Sequence, residues 1–292
     1  MKIIGMMTVR DEEDILEESL SHAAKIYDHV LCVDCGSLDT SPNIIKRLAF
    51  KYENVHFLRK LPPMTPMQVK RHIWSAFRKR LSSEDWWVFA DADEFVSDNA
   101  REVLGYSLAH QFDHVDGEHV NFYFTEADRR RELSQEPEII SAVSVRERLN
   151  YYRYHTHQLR FFRNLPWLRW NFDSSTPQFL SSRSDLRVQF IHYQYRNLNQ
   201  IERRIKIRQE EYHRSDPADI HWRISRVDDA ISADDDAALR FYEKGVPFIR
   251  DAALPSPLKE STAKRTARYA KNIVHGLLAK RSEEKWFDDF DL

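Results

Sequence analysis

The sequence is poor in glycine and cysteine, and it has no large net charge. Six glycines and two cysteines occur in 292 residues, and 44 basic side chains nearly balance 46 acidic ones. This balance disfavours nucleic acid as a partner, because nucleic-acid-binding domains carry a basic surface. No apolar run approaches membrane-spanning length, and the chain enters a strand at Ile3 without a signal-peptide pattern. We therefore expect a globular, cytoplasmic protein.

The two cysteines, Cys32 and Cys35, lie close together at the end of a predicted strand. Thioredoxin-like pairs open a helix instead, and a zinc site needs further soft ligands, which do not follow here. We expect two reduced cysteines without a catalytic role.

Strand and helix alternate through the first hundred residues. Apolar runs predict strands at residues 3–9, 30–33, 55–58 and 88–91. Helices are expected between them, and the acids of residues 11–14 suit the first turn of a helix. Strands separated by helices require crossover connections. The sequence therefore predicts an α/β fold with a mostly parallel sheet flanked by helices.

The pattern changes after Phe95. We predict a strand at residues 119–124, a mobile charged loop at 125–137, and a basic helix that begins with Asn199 in a capping box. A boundary is expected near residue 215, so that residues 1–215 form one domain and 216–292 a helical extension. Within the first domain, residues 1–95 and 96–215 are expected to form two halves.

The stretch DWWVFADADEF, at residues 85–95, carries the clearest chemical signal. A buried strand ends at Asp91, and in an extended backbone Asp93 would point to the same side. Two converging carboxylates are costly unless a cation or protons neutralise them. Oxygen ligands suit Mg²⁺ or Mn²⁺, with substrate phosphates completing the coordination shell. Strand ends in open α/β sheets are also where ligands bind. The stretch is interpreted as a metal–diphosphate site.

Four segments together resemble family 2 glycosyltransferases with the GT-A fold, of the bacterial type. They are MTVRDE at residues 7–12, VDCGSLDTS at 33–41, FADADEF at 89–95 and IHYQYR at 191–196. The resemblance covers roughly residues 1–210. It departs from the family at Asp11, where Asn is usual, and at Leu38, where a small or polar residue is usual.

The resemblance implies a role for each candidate residue. Asp91 and Asp93 would hold the Mn²⁺ or Mg²⁺ that bridges the diphosphate, with His192 as a third ligand. The residues expected to contact the nucleotide-sugar are Thr8, Arg10, Glu12, Asp34, Gln68, Arg71, Asp91 and Arg196. Two simpler alternatives stand beside these roles. Asp34 can cap its own turn, and Lys70, Arg71 and residues 78–80 can form an exposed charged helix face.

Inverting transfer needs a carboxylate that accepts the proton of the acceptor hydroxyl. Asp173 is the first choice for this catalytic base, since Trp167, Trp170 and Phe172 beside it are able to stack on sugar rings. Glu126 and Asp185 are the alternatives.

The segment from residue 259 to 285 is basic and has the apolar spacing of an amphipathic helix. It predicts either packing onto the catalytic domain or peripheral contact with the inner face of an anionic membrane.

Three functions remain open. The first is metal-dependent transfer of a sugar, with inversion, from a nucleotide-sugar to a glycan or lipid-linked acceptor. By family analogy, this reaction belongs to cell-surface polysaccharide synthesis. The second is sugar nucleotidyl transfer, which usually needs a glycine-rich loop after the first strand. The third is a non-catalytic nucleotide-binding or scaffolding domain.

Overall fold

The computed structural model describes residues 1–136, 139–140, 142–171, 174–211, 224–249 and 262–278. Its first hundred residues alternate strand and helix as the sequence predicts. The elements are β1 Ile3–Val9, α1 Leu16–Ile26, β2 His29–Asp34, α2 Ser41–Lys51, β3 Val55–Lys60, α3 Pro66–Phe77 and β4 Trp86–Asp91. The acids of residues 11–14 precede α1, so their predicted place in its first turn is wrong. Glu17 and Glu18 take that place.

The later elements are β5 Glu94–Val96, α4 Ala100–Ala109, β6 His114–Tyr123, α5 Glu126–Ser134, α6 Val145–Arg148, β7 Tyr151–Arg163, β8 Val188–Tyr193, α7 Leu198–Glu211, β9 Arg240–Phe241 and α8 Thr262–Leu278. The strands form one sheet of order β3-β2-β1-β4-β7-β6-β8-β5, to which β9 adds by pairing with β7. The pairs β1–β2, β1–β4 and β2–β3 are parallel, and β7 joins β4 antiparallel. The predicted α/β class, with a mostly parallel sheet flanked by helices, is confirmed.

Helices cover both faces of the parallel strands. Ile3 and Met7 of β1 share one apolar cluster with residues of α1 and α2. Ile4 and Met6 share the opposite cluster with residues of α3. This division follows from the alternation of side chains along a strand. Both faces of the sheet are therefore buried, which explains the continuous apolar run of β1.

The chain divides into two compact units. One comprises residues 1–119, 156–190 and 252–292, and the other comprises residues 120–155 and 191–251. The boundary predicted near residue 215 lies outside the described residues and stays a prediction.

Two predictions about the second half are wrong. The predicted mobile loop at 125–137 contains helix α5, because Thr125 and Asp128 form a capping box. Such a box satisfies two backbone N–H groups at the start of a helix. Helix α7 does not use Asn199 as its cap. Instead the Asn197 carboxamide accepts a hydrogen bond from the backbone N–H of Gln200 at 2.8 Å.

Candidate functional site

The carboxyl ends of three parallel strands bring together three of the predicted residues. Thr8 of β1 is in register with Val33 of β2 and with Asp91 of β4, and Asp34 ends β2. The chain runs from β1 to β2 and β3 on one side and returns to β4 on the other side of β1. In open α/β sheets, ligands bind outside the carboxyl ends of the strands at such a switch point. Thr8, Asp34 and Asp91 thus lie at the edge where this class of sheet binds ligands.

Asp34 is fully buried and is fixed by the turn that follows it. Its Oδ2 accepts hydrogen bonds from the backbone N–H groups of Gly36 and Ser37, both at 3.2 Å. Gly36 has φ +85°, and a Cβ there would lie 2.9 Å from Pro63 Cδ, so only glycine suits this turn. The Asp34 Oδ1 is buried and has no hydrogen-bond partner among the described residues. The carboxylate therefore caps its own turn and keeps one oxygen for a further donor.

The loop after β1 is tied to the loop after β2 through Asp11. Its carboxylate accepts from the backbone N–H groups of Leu38 at 2.7 Å and Asp39 at 3.3 Å, while its own N–H donates to Ser37 Oγ. Asp11 has φ +53°, a conformation that Asp and Asn tolerate better than other non-glycine residues. Arg10 and Glu12, on either side of Asp11, belong to this loop, and their nucleotide contacts stay a prediction.

Helix α3 carries Gln68 and Arg71. Gln68 is exposed, whereas Arg71 is buried with its Nη2 3.2 Å from His72 Nε2. Burial and the Arg71 charge lower the pKa of His72 to about 4, so this imidazole is neutral near pH 7. The alternative of an exposed charged face is wrong for Lys70 and Arg71, because both side chains are buried.

Two buried cations hold the carboxylate of Asp91. The Lys70 ammonium lies 2.5 Å from Oδ1, and the Arg160 guanidinium donates to Oδ2 at 2.7 Å. The Lys70 side chain is 0% exposed and that of Arg160 is 7% exposed, whereas Asp91 remains one third exposed, at 33%. Asp91 thus presents a solvent-accessible carboxylate whose counter-charges come from inside the protein.

Arg160 is fixed by several partners besides Asp91. It donates to the backbone carbonyl of Phe89 at 3.1 Å, and it pairs with the buried Glu94 and with His119. Gly117 makes room for it, since a Cβ at that position would lie 2.4 Å from Arg160 Cγ. The buried guanidinium of Arg160 therefore forms ion pairs with the carboxylates of both Asp91 and Glu94.

The electrostatics of Asp91 follow from this arrangement. Burial by itself would raise the pKa of Asp91, but Lys70 and Arg160 hold it well below its usual range. Opposite charges within about 4 Å favour the ionised form of a carboxylate. Asp91 is consequently ionised at neutral pH.

Asp93 does not continue the strand. β4 ends at Asp91, residues 92 and 93 form a turn, and β5 begins at Glu94. The expectation of an extended backbone here is wrong, so strand alternation does not bring the two aspartates to one side. Asp93 is 4% exposed, and its charge raises the pKa of Asp91, which indicates that the two acids are near each other.

The predicted third metal ligand, His192, lies in the other compact unit. Its Nδ1 is 3.1 Å from Asn121 Oδ1, in that same unit. Within the part of the chain that the structure describes, no group of three or more His, Cys, Asp or Glu side chains is able to hold a metal ion. The role of His192 as a ligand stays a prediction.

Arg196 is also in the second unit and is fully buried. Its Nη1 donates to the backbone carbonyl of Tyr193 at 2.8 Å. It lines a cavity of about 260 Å³ in that unit, together with apolar side chains and with Glu132. Burial raises the pKa of Glu132, whose Oε2 has no hydrogen-bond partner among the described residues. The predicted contact of Arg196 with phosphates stays untested.

Asp173, the predicted base, and its neighbour Phe172 lie outside the described residues. The expected stacking of Trp170 on a sugar ring is wrong. Its indole is 3% exposed and packs edge-on against Trp74 and Phe89. Trp170 is therefore part of the apolar core, and a side chain this deeply buried cannot stack on a ligand.

Both alternative bases have partners in the structure. Glu126, in the first turn of α5, lies 3.5 Å from Arg129 Nη1. Asp185 accepts a hydrogen bond from the Tyr106 hydroxyl at 3.4 Å, and its Oδ1 is buried without a partner among the described residues.

Lys70 is the functional candidate that the sequence predictions missed. A signal for its burial was present, because Lys70 falls at helical spacing with Ile73, Trp74 and Phe77, which form the apolar face of α3. A lysine in such a stripe needs a buried counter-ion. No comparable signal indicated the partners of Arg160, because they depend on the pairing of β7 with β4.

Comparisons with known proteins give a fold likeness only. No family model and no curated protein matches the sequence. Among solved structures, the chain is similar to TarS of S. aureus in complex with UDP-GlcNAc, with 16% identity over 43% of this chain and 35% of TarS, at a TM-score of 0.31. In this comparison the chain covers about a third of the length of the solved TarS fragment, residues 1–349.

Two other solved structures show a likeness of the same degree. The mannosyltransferase PcManGT from Pyrobaculum calidifontis, in complex with GDP-Man and Mn²⁺, shares 14% identity over 56% of this chain and 44% of its own, at a TM-score of 0.33. GalNAc-T7 with UDP, GalNAc and Mn²⁺ shares 11% identity over 73% of this chain and 49% of its own, at a TM-score of 0.38. Similarity this low carries no conclusion about function, which has to be argued from the site itself.

Proposed function

We propose that the chain binds a nucleotide-sugar at the carboxyl edge of β1, β2 and β4 and transfers its sugar to a hydroxyl of a glycan or lipid-linked acceptor. The main support is Asp34, a buried carboxylate that is fixed by its own turn and retains one unpartnered oxygen among the described residues. A buried acceptor without a partner is costly, and a donor on the ligand would remove that cost. The N–H groups of a nucleobase and the hydroxyls of a ribose are donors of this kind.

The surroundings of Asp34 suit the remainder of such a ligand. Lys60 of β3 has an ammonium 3.9 Å from Asp34 Oδ2, and its side chain is 53% exposed. Thr8 is in register with Asp91 across the β1–β4 pair. An exposed cation beside a buried acceptor is the combination that a nucleoside diphosphate needs.

The finer parts of the proposal come from the resemblance. These are inversion at the sugar, Asp173 as the base, and a role in cell-surface polysaccharide synthesis in the cytoplasm. The resemblance also implies Mn²⁺ or Mg²⁺ on Asp91, Asp93 and His192, but this metal is not part of the proposal. The contacts of Asp91 do not fit a metal ligand well, because each of its oxygens already lies against a buried cation. No step of the proposed transfer is therefore routed through a metal.

Nucleotide binding is tested first with Asp34→Asn. We expect UDP or GDP to raise the melting temperature of the wild type, since a ligand that binds the native state stabilises it. Loss of a hydrogen bond to a charged group costs about 1.5–3 kcal/mol, so the substitution should weaken affinity roughly 10- to 100-fold. Asp28→Asn, before β2 at the opposite edge of the sheet, is the matched control and should bind normally. Equal affinity in both variants would contradict the role of Asp34.

Transfer is tested by measuring free nucleotide released from several nucleotide-sugars. Sugar nucleotidyl transfer, the second candidate, would instead turn over pyrophosphate. It is less well supported because residues 10–15, which follow β1, contain no glycine to cradle phosphates. Binding without either turnover would favour a non-catalytic domain.

Peripheral membrane contact is proposed for the outer face of α8. Arg268 and Asn272 donate to the backbone carbonyls of Ser181 and Leu180 at 3.0 and 3.2 Å, which supports packing of this helix on its own unit. Exposed residues of α8 include Lys264, Lys271, Val274, Leu277 and Leu278. Among the described residues, no helix is long and apolar enough to cross a bilayer. Sedimentation with anionic vesicles tests the contact, and Lys264→Glu with Lys271→Glu should reduce it.

A further inference from the structure

The counter-ions of Asp91 are built into the fold. Lys70 enters from α3 and Arg160 from β7, so two separate elements deliver a positive charge to the two oxygens of one carboxylate. The Lys70 side chain is 0% exposed, and its ammonium lies 6.0 Å from the centre of the Phe89 ring. Solvent therefore cannot replace Asp91 as the partner of Lys70 without unpacking α3.

Arg160 is held at least as firmly. Its guanidinium donates to the Phe89 carbonyl and contacts Glu94 and His119 in addition to Asp91. A methyl group at Gly117 would collide with its side chain. Both cations are thus fixed by residues whose own positions depend on the core.

A divalent ion at Asp91 would compete with these cations for the same oxygens. Mg²⁺ requires oxygen ligands at about 2.0–2.1 Å in a nearly octahedral arrangement. The Lys70 ammonium is 2.5 Å from Oδ1, which puts a positive charge where such an ion would have to bind. The doubly charged ion would be repelled by both neighbours, since it has the same sign. Asp93 alone is a weak site for an ion that has to give up water.

We propose that Lys70 and Arg160 are the permanent counter-ions of Asp91 and that Asp91 binds no divalent metal ion. Asp91 lies at the same edge of the sheet as the proposed nucleotide site. One consequence therefore rests on the proposed function: a nucleoside diphosphate binds at this edge without Mn²⁺ or Mg²⁺. Its negative charge is then met by protein cations, among which Lys60 offers an exposed ammonium beside Asp34.

Mn²⁺ binding tests the proposal directly. Electron paramagnetic resonance measures the concentration of free Mn²⁺, because the sharp signal of the free ion disappears when the ion binds to protein. We expect Asp91→Asn to leave the Mn²⁺ affinity of the full chain unchanged. We expect Lys70→Met to bind Mn²⁺ at least about tenfold more tightly than the wild type, since it frees Asp91 Oδ1. Lys79→Met, which removes an exposed lysine just after α3, is the matched control and should behave as the wild type.

Two results would overturn the proposal. One is stoichiometric Mn²⁺ binding by the wild type that Asp91→Asn abolishes. The other is UDP or GDP binding that disappears when EDTA replaces Mn²⁺. If Lys70→Met does not fold, as judged by circular dichroism, the wild type and Asp91→Asn still decide the question. If neither nucleotide binds under any condition, the proposed function fails, while the Mn²⁺ comparison still decides the role of Asp91.

Discussion

Replacing Arg160 with methionine is expected to destabilise the chain strongly. The substitution keeps an unbranched apolar side chain but removes the cation that joins Asp91 to Glu94. Asp91 would retain Lys70, whereas the Glu94 carboxylate, which is 3% exposed, would lose its guanidinium and retain the His119 imidazole at 3.2 Å. Breaking a buried ion pair from one side costs about 3–5 kcal/mol, because an uncompensated charge stays behind. At roughly 2–4 °C per kcal/mol for a unit of this size, the melting temperature should fall by roughly 6–20 °C.

Thermal unfolding followed by circular dichroism measures this effect. Arg153→Met is the matched control on the same strand, since Arg153 is 40% exposed and pairs with Asp236 at the surface. An exposed ion pair contributes at most about 1 kcal/mol to stability, so the melting temperature of Arg153→Met should be close to that of the wild type. A fall for Arg160→Met no larger than that of Arg153→Met would refute the view that Arg160 is a necessary buried counter-ion.

The pH dependence gives an independent check on the same residue. A carboxylate with a lowered pKa stabilises the fold fully above its ordinary value, near 3.8 for Asp91, and loses this contribution as the pH falls further. Arg160→Met removes one cause of the lowered pKa. The difference in stability between wild type and variant should therefore be largest at neutral pH and should narrow below about pH 4.

Three further predictions concern other parts of the chain. Gly276→Ala should weaken the packing of α8 and lower the melting temperature, because a Cβ there would lie 2.0 Å from the backbone oxygen of Trp167. Faster proteolysis of the C-terminal segment in the variant than in the wild type would show the weakened packing. Thr125→Ala should cost about 1 kcal/mol, since it removes the capping box with Asp128, and urea unfolding measures the loss. Asp173→Asn should retain nucleotide binding and lose sugar transfer, and a normal transfer rate would move the base to another residue.

The first hundred residues were predictable because each signal there is local. The apolar runs of β1 to β4 and the helical spacing between them depend only on neighbours in sequence. Their carboxyl ends carry Thr8, Asp34 and Asp91, and crossover connections are enough to bring those ends to one edge of a sheet. The strand register confirms that neighbourhood, although it leaves the nucleotide contacts themselves to experiment.

The second half was predicted less well because its signals are long-range. Helix α5 has no apolar face, so only its capping box distinguished it from a charged loop. Trp170 resembled an exposed sugar platform because aromatic residues surround it in sequence. It is in fact core, since α3 and β4 supply the rings that cover it.

The sequence by itself determined where the acids lie, at the ends of buried strands, because that depends on the order of apolar and polar residues along the chain. The tertiary structure alone decided what neutralises Asp91. Lys70 is 21 residues before it and Arg160 is 69 residues after it, and no local pattern shows that both side chains reach the same carboxylate. The interaction between two charges depends on their distance in space. Here only the packing of α3 and β7 around β4 fixes that distance.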